Sequence, residues 1–220
     1  MNQLEMRILR LEEQNKNIIN EMKELSKKDI NNEPKIDENK KNEIQNCGGE
    51  INPILKQSSR IIRDDLFKQL NIWINPFKSL KFELIFTASI NGDDHSNFHK
   101  FCDGKGPTIT LCKGKNGYIF GGYLTVPFSS ANKFHYDDKA FLFSLTIMKK
   151  FPNKIKEKAV CHIDFWGPYF GKGDLAVFGE GLSGKKNLSE PYSYEFRRED
   201  LIGTEERNFI LDEYEIFLVN

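Results

Sequence analysis

The amino-acid sequence predicts a mainly β, α+β fold in which two antiparallel sheets form a β-sandwich with a few flanking helices, preceded by an N-terminal coiled-coil helix. Three observations support this fold class. All 27 aromatic residues (18 Phe, 2 Trp and 7 Tyr) lie at or after Phe67, so the core is expected in the later part of the chain. Beyond residue 80, apolar residues follow period two in about eight short runs that Gly, Pro and Asn clusters separate. The first 28 residues instead carry a seven-residue repeat.

The seven-residue repeat consists of two apolar series, one three places ahead of the other. With one series at heptad position d and the other at a, residues 1–28 are expected to form a parallel homodimeric coiled coil in which Asn15 sets the register. A single amphipathic helix packed on its own domain is the alternative. The members at d are Leu4, Leu11, Ile18 and Leu25, and those at a are Met1, Ile8, Asn15 and Met22.

Residues 29–55 are mostly Asn, Lys, Glu and Asp, which predicts a flexible linker before a globular domain at residues 56–220. The domain is expected to begin with an amphipathic helix between Ser59 and Ile74, which Asn75-Pro76 ends. A second short helix is expected at Asp94 to Phe101, with Asp93 or Asp94 as its cap. Strands are expected around Phe82–Phe86, Ile109–Leu111, Tyr118–Phe120 and Phe141–Ile147, and then at Val160–Phe165, Leu175–Phe178, Tyr192–Phe196 and Tyr214–Val219.

Charge and cysteine usage exclude several functional classes. The chain has 32 basic and 32 acidic residues, so nonspecific binding to nucleic acid or to a membrane surface is not expected. No apolar run reaches the roughly 20 residues of a transmembrane helix, and the N-terminus lacks the pattern of a signal peptide, which predicts a cytoplasmic protein without a transmembrane segment. Four widely spaced cysteines, Cys47, Cys102, Cys112 and Cys161, are expected to remain reduced.

One set of residues in the second helix has the spacing of a metal site. His95, His99 and Cys102 stand at i, i+4 and i+7, which places three potential zinc ligands on one helix face. A fourth ligand and a CxxC or HExxH motif are missing, and Cys is often a small buried apolar residue. We therefore expect no metal, no other cofactor and a packing role for His99 and Cys102.

Other patterns that suggest chemistry have structural alternatives. Ser89 could combine with His95 or His99, but no nucleophile elbow surrounds it, and Cys161 and His162 should point to opposite faces of a strand. Residues 103–107, DGKGP, resemble a phosphate-binding loop but precede a strand, so a tight turn is expected. Gly121-Gly122 within a strand predicts a bulge or close backbone packing.

Taken together, six segments resemble the TLDc domain in sequence and in order. The resemblance covers about residues 59–219 and includes the helix SRIIRDDLFKQLNIWI at 59–74. The segments are KFELIFTASINGD at 81–93, FHKFCDGKGPT at 98–108, GYIFGGYL at 117–124, AFLFSL at 140–145, GPYFGKGDL at 167–175 and EYEIFLV at 213–219.

This resemblance implies a two-sheet β-sandwich with links to oxidative-stress resistance and to binding of the V-ATPase, a proton pump. It also implies that seven positions match recurring family residues: Ser89, His99, Cys102, Gly106, Gly121, Gly122 and Glu215. Two departures stand out. Asp138-Lys139 replaces the Gly-Glu of many animal members, and the chain stops at Asn220, directly after the last expected strand, so no C-terminal helix is expected.

The leading functional hypothesis is a non-enzymatic TLDc interaction module, dimeric through residues 1–28, with V-ATPase subunits as partners and a location in the cytoplasm or at membranes that bear the V-ATPase. No catalytic, cofactor-binding or metal-binding residue is expected under this hypothesis. Two alternatives remain open. The first is an enzyme of unknown reaction centred on Ser89, His99 and Cys102, and the second is a structural adaptor whose coiled coil recognises the partner.

Overall fold

The computed structural model of the chain describes residues 59–178, 182 and 187–220. The predicted coiled coil at residues 1–28 and the predicted linker at residues 29–55 lie outside this part of the chain. Within it, twelve strands form two six-stranded antiparallel sheets, as the fold class predicts, with four short helices beside them. None of the helices in this part is long and apolar enough to cross a membrane.

The elements follow one another along the chain with short connections. The helices are α1 (Asp64–Ile74), α2 (Ala88–Asn91), α3 (His95–Cys102) and α4 (Arg198–Ile202). The strands are β1 (Phe82–Thr87), β2 (Thr108–Gly114), β3 (Ile119–Leu124), β4 (Lys133–His135), β5 (Phe141–Ser144), β6 (Lys149–Pro152), β7 (Val160–His162), β8 (Tyr169–Phe170), β9 (Leu175–Ala176), β10 (Asn187–Leu188), β11 (Asn208–Phe209) and β12 (Leu211–Val219).

The first sheet has the strand order β1-β12-β2-β3-β5-β6, and the second has the order β11-β10-β9-β8-β7-β4. The last strand of the chain, β12, therefore lies inside the first sheet, between β1 and β2. Side chains from facing sides of the two sheets form the main core, which includes Phe120, Phe170 and Ile216. The last strand is thus part of the core in spite of its place at the chain end.

A second apolar layer covers the outer face of the first sheet. Helix α1 contributes Leu70, which is fully buried, and Phe67, whose ring centroid lies 5.1 Å from those of Phe82 and Phe217. Because of this layer, Phe217 and Val219 are buried on the face of β12 opposite to Ile216. Alternation at period two is typical of a strand with one face in solvent, but both faces of β12 are covered here.

Two β-bulges, one in the pairing of β1 with β12 and one in that of β12 with β2, change which sheet face the side chains occupy. The register between β1 and β12 shifts between Leu84 and Phe86, so Leu84 packs under α1 whereas Phe86 enters the main core. A second shift, between Leu211 and Glu213 in the pairing of β12 with β2, directs Leu211 into the main core. An extra residue at a bulge reverses the alternation that follows it.

One predicted strand is wrong and several others are shorter than expected. Residues 192–196 form a loop with a single bridge between Asn153 and Tyr194. The buried carboxylate of Asp174 accepts the backbone N–H groups of residues 192, 193 and 194 at 2.7–2.8 Å, which removes them from any ladder. Burial raises the pKa of Asp174, and these N–H groups oppose that rise. The alternation of residues in the sequence could not show that a carboxylate, and not a neighbouring strand, accepts these N–H groups.

Candidate functional site

Five polar residues form a connected cluster on the outer face of the first sheet, which we call the polar clasp: Ser59, Arg60, Ser89, Glu213 and Glu215. Strand β12 places both glutamates on the same face, two residues apart. Ser89 stands in α2, directly after β1, and the segment that precedes α1 supplies the remaining two residues. The clasp therefore joins the start of the domain to its last strand.

Glu215 is the buried centre of the clasp and has no exposed surface. One of its carboxylate oxygens, Oε2, accepts the Ser59 hydroxyl at 2.6 Å, and Oε1 accepts the Arg60 backbone N–H at 2.7 Å. Ser59 Oγ also accepts the backbone N–H groups of Ile61 at 3.1 Å and Ile62 at 3.0 Å. The carboxylate thus fixes the path of the chain as it reaches α1.

Glu213 forms the second half of the clasp. Its Oε2 accepts the hydroxyl of Ser89, and its Oε1 accepts the backbone N–H groups of Ser89 at 3.2 Å and Tyr214 at 2.9 Å. The Arg60 guanidinium donates to Ser89 Oγ at 2.8 Å. Ser89 therefore uses its proton on Glu213 and a lone pair on Arg60, which ties the hydroxyl into the structure on both sides.

The electrostatic environment of the clasp opposes the ionised form of Glu215. Burial raises the pKa of this carboxyl above its ordinary value of 4.5, and the Glu213 carboxylate adds to the rise. The Ser59 hydroxyl, the Arg60 N–H and the Arg60 charge oppose it. Arg60 thus favours the charge of Glu215 and also bonds to Ser89, so it links the two halves of the clasp.

His99 is separate from the clasp and has both ring nitrogens engaged. Nδ1 lies 2.8 Å from a carboxylate oxygen of Asp103, and Nε2 lies 3.0 Å from the carbonyl oxygen of Ile163. Ser130 donates to the other oxygen of Asp103 at 2.7 Å. Because both nitrogens face acceptors, this ring links the end of α3 to the loop after β7, and neither nitrogen is open to a substrate.

The cysteines of the domain are buried. Cys102 has no exposed surface and lies in the main core, and burial strongly raises the pKa of its thiol. Burial has the same effect on Cys112, with a further contribution from the Glu213 carboxylate. Thiols held in the neutral form are poor nucleophiles and poor metal ligands.

The structure does not bring together the candidate zinc ligands or the candidate catalytic residues that the sequence spacing suggested. Among the hydrogen bonds of the described residues, Ser89, His99 and Cys102 share no partner. His95 is exposed, while Cys102 lies in the core. Among residues 59–178, 182 and 187–220, no three His, Cys, Asp or Glu side chains gather as metal ligands would.

The family-matching glycines lie at close contacts, with backbone at Gly106 and Gly121 and with the Phe170 and Leu142 side chains at Gly122. A Cβ atom added to Gly121 would collide with the carbonyl oxygen of Thr110 on β2, and one added to Gly106 would lie 2.9 Å from the backbone of Pro127. The pairing of β2 with β3 is regular through Gly121 and Gly122. Of the two expectations for this pair, close packing is confirmed and the bulge is wrong.

Sequence reasoning identified Ser89 and Glu215 through the family resemblance but missed Ser59, Arg60 and Glu213. A signal for Glu213 was present, because a second carboxylate two residues before Glu215 must share its face of the strand. Nothing in the sequence indicated that the segment at 59–60 folds back onto β12, more than 150 residues later.

Removal of the Ser59 hydroxyl is expected to destabilise the domain. Ser59→Ala leaves Glu215 without one partner and two backbone N–H groups without their acceptor, at a cost of about 1–3 kcal/mol. We expect the Tm to fall by roughly 5 °C in thermal denaturation followed by circular dichroism. The exposed Ser79 provides the matched control, because Ser79→Ala should leave the Tm unchanged. Equal Tm values for the two variants would contradict the role of the clasp.

Glu215 should also give the domain a measurable pH dependence. Since its folded-state pKa is raised above 4.5, the folded chain binds this proton more tightly than the unfolded chain. Its contribution to stability therefore falls as the pH rises from about 4.5 through the raised pKa. Glu215→Gln should lose this decline, so the Tm of the wild type relative to the variant should fall between about pH 4 and pH 7. Parallel curves of Tm against pH for the wild type and Glu215→Gln would contradict this role of Glu215. Glu83→Gln, at an exposed position of β1, serves as the control.

Comparison with known proteins assigns the domain to a family. The family model of the TLDc domain matches residues 55–220. Curated relatives include the MTOR-associated protein MEAK7 of Danio rerio, 31% identical over 67 residues, which are 30% of this chain and 15% of the relative. The Mus musculus protein of the same name is 25% identical over 76 residues, which are 34% of this chain and 17% of the relative. The match thus spans only a small part of these relatives, and the family model covers the whole described domain: the chain belongs to the TLDc domain family.

Proposed function

We propose that this chain is a non-enzymatic TLDc interaction module that acts by binding other proteins. The observation that supports this most directly is the polar clasp. Ser89 and Glu215, two family-matching residues with chemical potential, are bonded to the segment that leads into α1 and stabilise the domain. His99, a third, has both nitrogens engaged in linking α3 to a loop. These contacts fit a rigid scaffold better than a reaction centre, which needs groups free to meet a substrate.

The proposed partners are subunits of the V-ATPase, and the proposed role is regulation of this pump or protection against oxidative stress, in the cytoplasm or at membranes that bear the pump. The family resemblance supports both. The MEAK7 relatives are named for association with MTOR. A protein-binding role in a signalling or pump assembly would suit a domain of this family.

Purified V-ATPase provides the direct test of this function. The full chain should sediment with the pump at a fixed stoichiometry and change its rate of ATP hydrolysis. Serum albumin at the same concentration serves as the control for nonspecific sedimentation. A chain that neither sediments with the pump nor alters ATP hydrolysis would contradict the V-ATPase role.

Dimerisation through residues 1–28 is a separate part of the proposal. We expect light scattering of the full chain at micromolar concentration to give the mass of a dimer, because the heptad seam is the long apolar repeat of the chain. Leu11→Asp with Ile18→Asp should give a monomer, since both substitutions place charges at d positions. Glu13→Asp with Asn20→Asp, at the outward f positions, is the matched control. A monomeric wild-type chain would refute the dimer.

A further inference from the structure

One edge of the second sheet carries exposed aromatic side chains interleaved with lysines. Its members, which we call the aromatic–lysine surface, are Phe134, Tyr136, Lys158, Lys172 and Tyr192. The three aromatic side chains are 38%, 55% and 48% exposed, in chain order. Lys158 Nζ lies 5.8 Å from the ring centroid of Phe134 and 5.6 Å from that of Tyr192, and Lys172 Nζ lies 5.0 Å from Tyr192. These contacts connect Phe134, Lys158, Tyr192 and Lys172 into one continuous group.

The fold exposes these side chains through the position of β4 at the end of the sheet. In the described part of the chain, strand β4 pairs with β7 alone, so no described strand pairs with its other edge. His135 packs against His162, with ring centroids 4.3 Å apart, and alternation along the strand turns its neighbours the other way. Phe134 is thereby presented outward, and Tyr136, which follows the strand, is also exposed. Burial in the core would be the more usual outcome for both residues.

The lysines of this surface and its surroundings are not used in ion pairs within the described part of the domain. None of the ion pairs formed among the described residues includes Lys133, Lys156, Lys158 or Lys172. Two carboxylates of the surrounding loops are already committed: Asp174 to backbone N–H groups and Glu195 to Lys154 at 3.0 Å. The exposed acidic residues beside these lysines are Asp138, Glu157 and Asp164, so the four lysines exceed them by one.

We propose that the aromatic–lysine surface binds an acidic protein segment that carries aromatic or aliphatic anchors between its carboxylates. Exposed Tyr and Phe rings supply contact area at low entropic cost, and lysines held over them offer charge for carboxylates. An anionic membrane would be the other match for such a surface, but it attracts proteins through long-range charge. The zero net charge of this chain gives no such field. This inference rests on the proposed function and names the chemistry of its partner.

A synthetic peptide tests the inference on the full chain. The probe is a fluorescein-labelled peptide in which Glu and Asp alternate with Phe and Tyr, and the control peptide carries Lys at every acidic position. Fluorescence anisotropy should show saturable binding of the acidic peptide alone. The binding should weaken when salt rises to about 0.5 M, because exposed charges are then screened. Sedimentation with vesicles of phosphatidylcholine and phosphatidylserine should detect no binding.

Substitutions test whether the peptide binds at the aromatic–lysine surface. Lys158→Glu with Lys172→Glu should weaken peptide binding by about tenfold or more, and Tyr192→Ser should weaken it without a change of charge. Lys68→Glu with Lys81→Glu, which reverses two exposed lysines elsewhere, is the matched control and should keep wild-type binding. Circular dichroism melts confirm that each variant is folded.

Three outcomes would overturn the inference: no saturable peptide binding, equal loss in the control variant, or binding to the vesicles in place of the peptide. Sedimentation with V-ATPase distinguishes failure of this inference from failure of the proposed function. If the surface variant still binds the pump as the wild type does, the interaction module stands and this surface is not its docking site. If the wild type binds the peptide but not the pump, the surface stands and the V-ATPase role fails.

Discussion

A chain that ends after Asp212 is expected to accumulate as insoluble protein without a cooperative thermal transition. The missing residues form most of β12, which pairs with β1 on one side and β2 on the other. Tyr214 and Ile216 are lost from the main core, and Phe217 and Val219 are lost from the layer beneath α1. Burial of four such side chains contributes roughly 6–12 kcal/mol, which is comparable with the total stability of a typical domain.

The truncation also removes both glutamates of the polar clasp and leaves two strand edges unpaired. Unpaired edges of β1 and β2 promote aggregation. Deletion of Asn220 alone is the matched control, because it removes only the terminal pairing with Lys81 and should leave the product soluble with a Tm near that of the wild type. A soluble product of the long truncation that melts within a few degrees of the wild type would contradict the position of β12 in the sheet.

Gly121→Ala is the second change for which we expect a large effect. The new methyl group would lie 1.9 Å from the Thr110 carbonyl oxygen and 2.9 Å from Phe143 Cζ, both closer than van der Waals contact allows. The carbonyl belongs to β2, in the middle of the first sheet, so relief requires the two central strands to separate. We expect a loss of about 3 kcal/mol or more in the free energy of unfolding and a Tm lower by roughly 10 °C.

Gly117→Ala distinguishes steric collision from the general effect of adding a methyl group. Gly117 has a φ of 85°, and a Cβ atom added there would meet no described atom within 4 Å. Its substitution should therefore cost only the roughly 1–2 kcal/mol of a left-handed conformation. Urea unfolding of both variants gives the two free energies on one scale. If Gly121→Ala is no more destabilising than Gly117→Ala, the strands are not in the close contact described here.

The long, strongly periodic elements could be predicted from the sequence. The amphipathic pattern ending at Ile74 corresponds to α1, and alternating Phe and Leu residues correspond to β1 and β5. The faces of these strands could not be predicted as well. Leu84 and Phe86 are two residues apart and would share one face of a regular strand, but they lie in different apolar layers. The bulge between them causes this, and it depends on pairing with β12.

The candidate site shows the same division between local and long-range information. Alternation along β12 places Glu213 and Glu215 on one face, and the local sequence is enough to predict this. The partners of the two glutamates could not be predicted from local sequence. Ser59 and Ser89 reach them only through the folded arrangement of β1, α2 and the segment before α1. The loop at residues 192–196 is similar, since its backbone donors bind Asp174, about twenty residues earlier.

The most direct measurement of the central claim is survival of peroxide treatment in cells that lack the native gene and express one of three versions of the chain. We expect the wild type and Ser89→Ala both to restore survival, because in the proposed module the Ser89 hydroxyl serves the clasp and not a reaction. We expect Lys158→Glu with Lys172→Glu not to restore survival, because the proposed partner would no longer bind. Immunoblots must show equal amounts of the three proteins. Survival restored by the double lysine variant but not by Ser89→Ala would contradict the account and favour an enzyme that uses Ser89.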